Sequence, residues 1–393
     1  MGIVPIAEIE SRIKKLQDSM IKNDLDAALI LENTDLYYFA GSIFDGFLYV
    51  PAKGEPLLIV KRGLERVKKE SPLKNICSIQ SVRDITLAIQ EYYALPSRLG
   101  LELDVLPVRD YLRYKKLFSA AIHFVDLSKI IRELRWIKSS YELELIKESA
   151  EIHNQLFLEI PRLLQVGIFD WELAAQIEYR ARMYGHLGIT RFRGLNNELF
   201  MGDVLTGPQG AMFSPYDTPF GGQGFTPLYP RGANGSKIER NQPVCIDCLG
   251  NYTGYMVDQT RTYCLGPPPA ILKKAYQLSL EIQAMVEEKA RPGVNAAYLY
   301  EEAIKIVRKG QLEDHFMGYG EPVAFIGHGV GLEVNEWPVI ARGIDLLLEE
   351  GQVFALEPKF VFPRLGLVGI ENTYAVQTTG LEKLTKTPEN LEQ

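Results

Sequence analysis

Hydrophobic and polar positions in residues 1–135 alternate between helical spacing and short apolar runs. Apolar residues recur every three or four positions within 6–23, which predicts an amphipathic helix, and the apolar run 27–31 predicts a buried strand. The alternation continues with strands near 47–50, 57–60, 76–79, 99–101 and 123–125 and helices near 63–69, 82–92 and 109–117. Strands that alternate with helices predict a self-contained α/β domain.

The pattern changes near Arg135. From there on, the stretches with helical periodicity are longer. Helices are expected over 128–164 with a break at Lys138, and over 171–184, 270–289 and 296–309. Strands are expected between the later helices, after a glycine- and proline-rich stretch at 207–235. We therefore predict two domains, residues 1–135 and residues 136–393.

Composition narrows the class of protein. Hydrophobic residues make up 46% of the 393 positions and charged residues 24%, as in ordinary globular proteins. The formal net charge of -7 argues against nucleic acid as a partner, and no apolar stretch reaches the roughly 18 residues needed to span a bilayer. Four cysteines are too few for a disulfide framework, and the N-terminus does not resemble a signal peptide. A cytoplasmic protein without a membrane partner is expected.

Two predicted hairpins carry pairs of acidic residues inside apolar strands. Asp247 and Asp258 lie on the two arms of one hairpin, nearly equidistant from its turn at 251–254. Glu357 and Glu371 are symmetric about position 364 in the other. A carboxylate in an apolar strand is costly to bury unless it is paired or binds metal. We expect the two members of each pair to face each other across their hairpin.

His328 adds an imidazole to this set. Gly327 and Gly329 flank it, so that the ring can be exposed without crowding. Four carboxylates and one imidazole are a suitable ligand set for two divalent cations. Mn²⁺ is the metal we expect first, with Co²⁺, Zn²⁺ and Fe²⁺ left open.

The motifs around these residues resemble those of the pita-bread-fold metallopeptidases, the family of methionine aminopeptidase, aminopeptidase P and prolidase. The matching segments are Asp247, the DQTRT run from Asp258, GHGVGLEV around His328, Glu357 in LEP and Glu371 in IEN. Residues 1–135 also resemble the creatinase-type N-terminal domain. The resemblance implies an α/β N-terminal domain followed by an α+β pita-bread domain, and a homodimer.

The resemblance also implies an activity, that of an Xaa-Pro dipeptidase or aminopeptidase acting on the N-terminus of a small peptide. By that likeness Asp247 is a terminal ligand of one ion, His328 and Glu357 are terminal ligands of the other, and Asp258 and Glu371 bridge both. A hydroxide shared by the ions cleaves the C–N bond, and Glu357 is the catalytic residue that passes its proton to the leaving amine.

Several positions depart from the family pattern. Residues that the peptidases carry as histidine or arginine are here Ser214, Ala324, Asn335 and Gly369. Candidate substrate-binding residues that replace the lost donors are Ser214, Tyr216, Asn335, Glu336 and Lys359. These departures leave open a creatinase-like hydrolase or lyase acting on a non-peptide metabolite. A binding module derived from the fold is a third hypothesis, which the presence of all five ligand positions disfavours. The stretch 214–232 is either a pocket lid or an inert surface loop.

Overall fold

The computed structural model describes residues 2–118, 121–213 and 215–393. They form two compact units, and the boundary between them in the sequence lies between Arg135 and Trp136. The elements of the first unit are α1 (Ile6–Lys22), β1 (Ala27–Ile30), α2 (Asn33–Ala40), β2 (Asp45–Pro51), β3 (Leu57–Arg62), α3 (Leu64–Glu70), β4 (Ile76–Ser78), α4 (Ile85–Gln90), β5 (Arg98–Leu101), α5 (Val108–Leu117) and β6 (His123–Asp126), with α6 (Ser128–Trp136) at the boundary. In the described part of the chain, no helix is both long and apolar enough to cross a membrane.

The first unit is built on a six-stranded mixed sheet with the order β4-β3-β2-β1-β5-β6. The central strands are apolar on both faces, since β1 is buried along its whole length and β2 along most of it. The predicted α/β architecture is confirmed. The sequence pattern did not predict α2, because six of its eight residues are buried and it has no polar face to reveal a helical period.

The second unit carries the candidate chemistry. Its elements are α7 (Ser140–Leu163), α8 (Asp170–Met183), β7 (Gly202–Thr206), α9 (Gly207–Gly210), β8 (Pro243–Asn251), β9 (Met256–Cys264), α10 (Ala270–Lys289), α11 (Ala296–Gly310), β10 (Phe325–Gly329), β11 (Glu336–Ala341), β12 (Val353–Leu356), β13 (Lys359–Phe362), β14 (Gly366–Gly369), β15 (Asn372–Gln377) and β16 (Gly380–Lys383). The predicted break after Lys138 marks the start of α7, where Ser139 and Glu142 form a reciprocal capping box.

The helices of this unit pack against strands in two groups. Apolar residues of α7 and α8 form one core with the sheet β7-β8-β9. Those of α10 and α11 form a second core with the sheet β11-β10-β12-β15-β16. Along β8, Val244, Ile246 and Cys248 point into the first core. Side chains alternate along a strand, so Asp247 points to the opposite face.

His153 connects α7 to β8 next to Asp247. Its side chain is fully buried, and its Nε2 lies 3.0 Å from the carbonyl oxygen of Cys248. Burial lowers the pKa of His153 to about 3, with smaller contributions from His186 and Arg261. The folded protein therefore holds this imidazole neutral.

The buried His153 predicts a loss of stability in acid. Below about pH 6.5 the unfolded chain protonates this histidine, whereas the folded chain does so only near 3. Stability contributed by the neutral imidazole is therefore present above the unfolded pKa and is lost as the pH falls towards the folded one. His153→Gln keeps an N–H donor for Cys248 but cannot be protonated. We expect its free energy of unfolding to depend on pH less steeply, by about 1.4 kcal/mol per pH unit between those values.

Urea unfolding followed by tryptophan fluorescence reports on the second unit, which contains His153, because all three tryptophans lie after residue 135. His123→Gln, which removes an exposed histidine of the first unit, is the matched control. Equal slopes for the wild type and His153→Gln would contradict the assignment.

Candidate metal centre

The first hairpin places its two aspartates diagonally. Asp247 on β8 lies opposite Thr260 on β9, and Asp258 lies opposite Leu249. The expectation that the two aspartates face each other directly is wrong, because the turn is centred one position later than their direct pairing would require. Residues two apart on a strand share a face, so both carboxylates still project on the same side of the hairpin.

The second hairpin has the predicted symmetry. Lys359 pairs with Gly369, and Leu356 pairs with Asn372, so Glu357 and Glu371 occupy matching positions between these pairs. The main chains of Glu371 and Thr260 form a bridge with N–H to oxygen distances of 3.1 and 3.3 Å. This bridge joins the two hairpins at the carboxylates.

Neutral and cationic side chains fix the main chain on either side of the glutamates. Nε2 of Gln283 on α10 donates to the carbonyl oxygen of Leu356 at 2.7 Å and lies 3.4 Å from that of Ile370, the residues just before Glu357 and Glu371. The buried Arg261 donates through Nη1 to the carbonyl oxygen of Glu371 at 2.9 Å. Both contacts fix the main chain from which the side chains of Glu357 and Glu371 project.

His328 approaches three of the carboxylates from β10. Its Nε2 lies 3.5 Å from Oε1 of Glu357, 3.7 Å from Oε1 of Glu371 and 3.9 Å from Oδ2 of Asp258. The flanking glycines are needed for strand packing, since a Cβ at Gly327 would lie 2.5 Å from the carbonyl oxygen of Ala355 on β12. The five residues selected from the sequence thus converge at one place.

Thr260 and Lys359 contact the carboxylates on the side away from His328. The Thr260 hydroxyl is 2.7 Å from Oδ1 of Asp247 and 2.7 Å from Oε2 of Glu371. Nζ of Lys359 donates to Oε2 of Glu357 at 2.8 Å and to Oε2 of Glu371 at 2.7 Å. Both side chains are fully buried.

Burial dominates the acidity of three of the carboxyl groups. It raises the pKa of Asp247 to about 7 and the pKa of Asp258 well above its usual range. It also raises the pKa of Glu357, although Lys359 offsets part of the effect. For Glu371 burial acts in the same direction, but the ammonium of Lys359 and the imidazole of His328 outweigh it and lower the pKa.

The two basic groups respond in the opposite way. Burial on its own would lower the pKa of His328, but Glu371, Glu357 and Asp258 outweigh it and raise that pKa to about 10. The pKa of Lys359 is likewise raised well above its usual range, because nearby carboxylates outweigh its burial. The carboxylates of the cluster therefore favour positively charged groups beside them.

Two buried oxygens of the cluster accept no hydrogen bond from any described residue. They are Oδ1 of Asp258 and Oε1 of Glu371. One ligand atom each from Asp258, His328 and Glu371 lies within 4.8 Å of the others, the arrangement a metal ion requires. Buried polar atoms are normally paired, and oxygens and an imidazole nitrogen are ligands for divalent transition metals. These donors fit a divalent cation.

A cavity of about 350 Å³ opens onto the cluster. Pockets of this order hold small ligands. The stretch 214–232 contributes Tyr216, Phe220 and Arg231 to its lining, so this stretch forms part of the pocket wall. Arg231 is buried, and its Nε donates to Oδ2 of Asp203 at 2.5 Å. Within the described parts of the chain, its Nη1 has no hydrogen-bond partner.

The remaining sequence candidates have different surroundings. Asn335 and Glu336 line the cavity, but Asn335 exchanges hydrogen bonds of 2.9 Å with the main chain of Arg193, and Glu336 pairs with Lys138 at 2.8 Å. Tyr216 lies in the wall with Arg231 5.8 Å from its ring centroid. Ser214 lies outside the described residues.

The sequence did not single out Thr260 or Arg231. Thr260 belongs to the DQTRT run that was quoted for Asp258, so its alternation with Asp258 along β9 was an available signal. Arg231 lies in a loop without periodicity, and nothing in the local pattern points to the cavity.

Comparison with known proteins gives two family matches. Residues 144–378 match metallopeptidase family M24, and residues 12–137 match the creatinase/prolidase N-terminal domain. An Xaa-Pro dipeptidase of Pyrococcus horikoshii is 29% identical over 387 residues, which cover 98% of this chain and 99% of the relative. An Xaa-Pro dipeptidase of Lactobacillus delbrueckii subsp. lactis is 26% identical, with 96% and 98% covered.

Solved structures with the same architecture include a prolidase from Pyrococcus horikoshii. It has a TM-score of 0.81 and 28% identity, and the match covers 97% of this chain and 99% of that one. An X-Pro aminopeptidase from Thermotoga maritima has a TM-score of 0.79 at 24% identity, with 97% and 99% covered, a likeness of fold alone.

We expect Mn²⁺ to stabilise the folded protein, because a cation relieves the repulsion among buried carboxylates. At a free concentration one hundred times its Kd, the ion adds about 2.7 kcal/mol, a rise in Tm of roughly 5 to 10 °C. Asp258→Asn removes one donor and should abolish most of this rise. Glu281→Gln, an exposed carboxylate on α10, is the control and should keep it. Differential scanning calorimetry with and without Mn²⁺ measures the effect, and an unchanged wild-type Tm would contradict a cation site here.

Proposed function

Because the chain belongs to metallopeptidase family M24, we propose that it is a dipeptidase that hydrolyses Xaa-Pro dipeptides and related small peptides at their N-terminal residue. The observation that carries the proposal is the convergence of Asp247, Asp258, His328, Glu357 and Glu371 on a cavity of about 350 Å³. The similar proteins named as Xaa-Pro dipeptidases and prolidase suggest the substrate class.

The family and the two-part fold expected from the resemblance are confirmed. The protein is a metallopeptidase and so an enzyme, which removes the binding-module hypothesis. The non-peptide alternative, based on the departures at Ser214, Ala324, Asn335 and Gly369, is not favoured, since the similar proteins carry peptidase names over nearly their full length.

Five residues form the proposed metal-binding set. A bound divalent ion supplies a Lewis acid for the scissile carbonyl and acidifies water. Glu357 lines the cavity, and burial raises its pKa, so its carboxyl group is suited to deliver a proton to the leaving amine. The hydrogen bond between Thr260 and Oε2 of Glu371 holds that carboxylate in one orientation.

Arg231 is the proposed partner for the substrate carboxylate. Its guanidinium lies in the cavity wall, and Nη1 has no hydrogen-bond partner among the described residues. A free Xaa-Pro dipeptide ends in a carboxylate a few ångströms from its scissile bond. Guanidinium pairs with carboxylate through directed hydrogen bonds, so Arg231 favours dipeptides over longer peptides.

The metal and its number are further proposals. Mn²⁺ is proposed first because four of the five candidate donors are carboxylates, with Co²⁺, Zn²⁺ and Fe²⁺ as alternatives. The sequence predicts two ions, but their number depends on Lys359, whose ammonium lies among the same carboxylates. A homodimer and a cytoplasmic location stay predictions.

The activity is tested with a panel of Xaa-Pro dipeptides, longer Xaa-Pro peptides and small guanidino or betaine compounds, each assayed with Mn²⁺, Co²⁺ and Zn²⁺. We expect dipeptide hydrolysis that requires metal. Asp258→Ala should lower kcat/KM by about a thousandfold, because several kcal/mol of transition-state stabilisation are lost. Glu281→Gln is again the control. Full activity in Asp258→Ala, or turnover of only the non-peptide compounds, would contradict the proposal.

Arg231→Lys tests how the substrate carboxylate is held. Lysine can still pair with Asp203 but lacks the second nitrogen that the guanidinium presents. We expect KM for an Xaa-Pro dipeptide to rise roughly 10- to 100-fold, as expected for loss of a hydrogen bond to a charged group. The same dipeptide with a C-terminal amide should bind weakly to the wild type and be unaffected by the variant. A similar rise in KM for both substrates would indicate a structural effect instead.

A further inference from the structure

The ammonium of Lys359 lies inside the proposed metal-binding set. Its Nζ is 2.8 Å from Oε2 of Glu357, 2.7 Å from Oε2 of Glu371 and 3.9 Å from Oδ2 of Asp247. These three side chains are candidate metal ligands. Lys359 therefore already supplies a positive charge at the position between them.

The lysine side chain has little room to move away. Lys359 is completely buried, and its Nζ lies 4.6 Å from the centre of the Phe220 ring. Its stem passes over Gly369, which pairs with it across the β13–β14 hairpin. A Cβ at residue 369 would collide with Cγ of Lys359. The glycine thus leaves the space that the lysine stem occupies.

The hydrogen bonds divide the carboxylate oxygens into two sides. Oε2 of Glu371 has the Thr260 hydroxyl and the Lys359 ammonium as neighbours, and Oε2 of Glu357 accepts from Lys359. On the other side, Oε1 of Glu371 and Oδ2 of Asp258 lie 3.7 and 3.9 Å from Nε2 of His328. Among the described residues, Oε1 of Glu371 and Oδ1 of Asp258 have no hydrogen-bond partner. The oxygens without a donor thus belong to two of the carboxylates that His328 approaches.

We propose that this enzyme binds a single divalent cation, held by Asp258, His328 and Glu371, and that the ammonium of Lys359 takes the place of a second cation between Asp247, Glu357 and Glu371. The inference rests on the proposed function, since it concerns the same site. Among the described residues, Asp258, His328 and Glu371 are the group whose ligand atoms come close enough to bind an ion.

The position of the ammonium supports one ion rather than two. Nζ of Lys359 lies 2.7 Å from Oε2 of Glu371 and 3.9 Å from Oδ2 of Asp247, so a positive charge already occupies the space between these two carboxylates. A second cation bound to Asp247 and Glu371 would also meet the Lys359 ammonium within the reach of the same oxygens, and the two would repel each other.

The test measures how much Mn²⁺ the full chain binds. Protein freed of metal with a chelator is dialysed against MnCl₂, and bound manganese is determined by elemental analysis. Electron paramagnetic resonance of the same sample distinguishes isolated Mn²⁺, with its hyperfine sextet, from a spin-coupled pair. We expect one ion per chain and the uncoupled spectrum. These measurements need only the wild-type protein, so they do not depend on whether a variant folds.

Three variants locate the effect. Lys359→Ala removes the ammonium and should raise the content to two ions with a coupled spectrum. Lys383→Ala, a lysine on β16 that pairs with Glu287 and Glu389, is the matched control and should stay at one. Asp247→Asn should change the Kd for Mn²⁺ by less than about tenfold, since it removes only a neighbouring charge.

The outcomes separate this inference from the proposed function. Two ions per wild-type chain with a coupled spectrum would overturn the single-ion centre and leave the peptidase proposal intact. No bound manganese, together with no metal-dependent hydrolysis, would overturn both. One ion in the wild type and still one in a folded Lys359→Ala would remove Lys359 as the group that replaces the second cation. A loss of Mn²⁺ binding in Asp247→Asn would show that the ion is bound near Asp247, which contradicts its proposed position beside His328.

Discussion

The close approach of four carboxylates, three of them buried and Asp247 partly buried, is the constraint on which the catalytic unit depends. Two hairpins bring Asp247, Asp258, Glu357 and Glu371 together, and such a group is unfavourable without compensating positive charge. The protein supplies part of that charge itself, through Lys359 and His328. Arg261 adds hydrogen bonds to the main chain of Thr260 and Glu371.

Packing of the surrounding helices and strands holds the four carboxylates together despite their mutual repulsion. Helices α7 and α8 support one hairpin, and α10 reaches the other through Gln283, which bonds to the main chain just before Glu357. Gly327 permits β10 to approach β12 closely, which brings His328 within reach of Glu357 and Glu371. Apolar packing therefore sets the geometry, and polar contacts select the orientation of each side chain.

Sequence patterns predicted what depends on periodicity. Long amphipathic helices such as α10 show a clear apolar stripe, and residues 270–289 match its bounds. The register of a hairpin depends on its turn, so the symmetric pair Glu357 and Glu371 was predicted while the diagonal offset of Asp247 and Asp258 was not. A residue brought in by a loop, such as Arg231, has no periodic signal. Lys359 was selected as a substrate contact, and only the fold reveals which carboxylates surround it.

Gly369, a departure from the family pattern, and Lys359, a candidate substitute for the lost donors, look independent in the sequence but belong to one place in space. The two residues pair directly across the β13–β14 hairpin. Losing the side chain at 369 makes room for the lysine stem, and the lysine returns a cation to the site from the other strand. An ammonium tethered to the chain stays in place whatever the concentration of free metal. The fold can thus keep all five candidate ligand residues, and the strands that carry them, while the positive charge among them comes partly from a side chain.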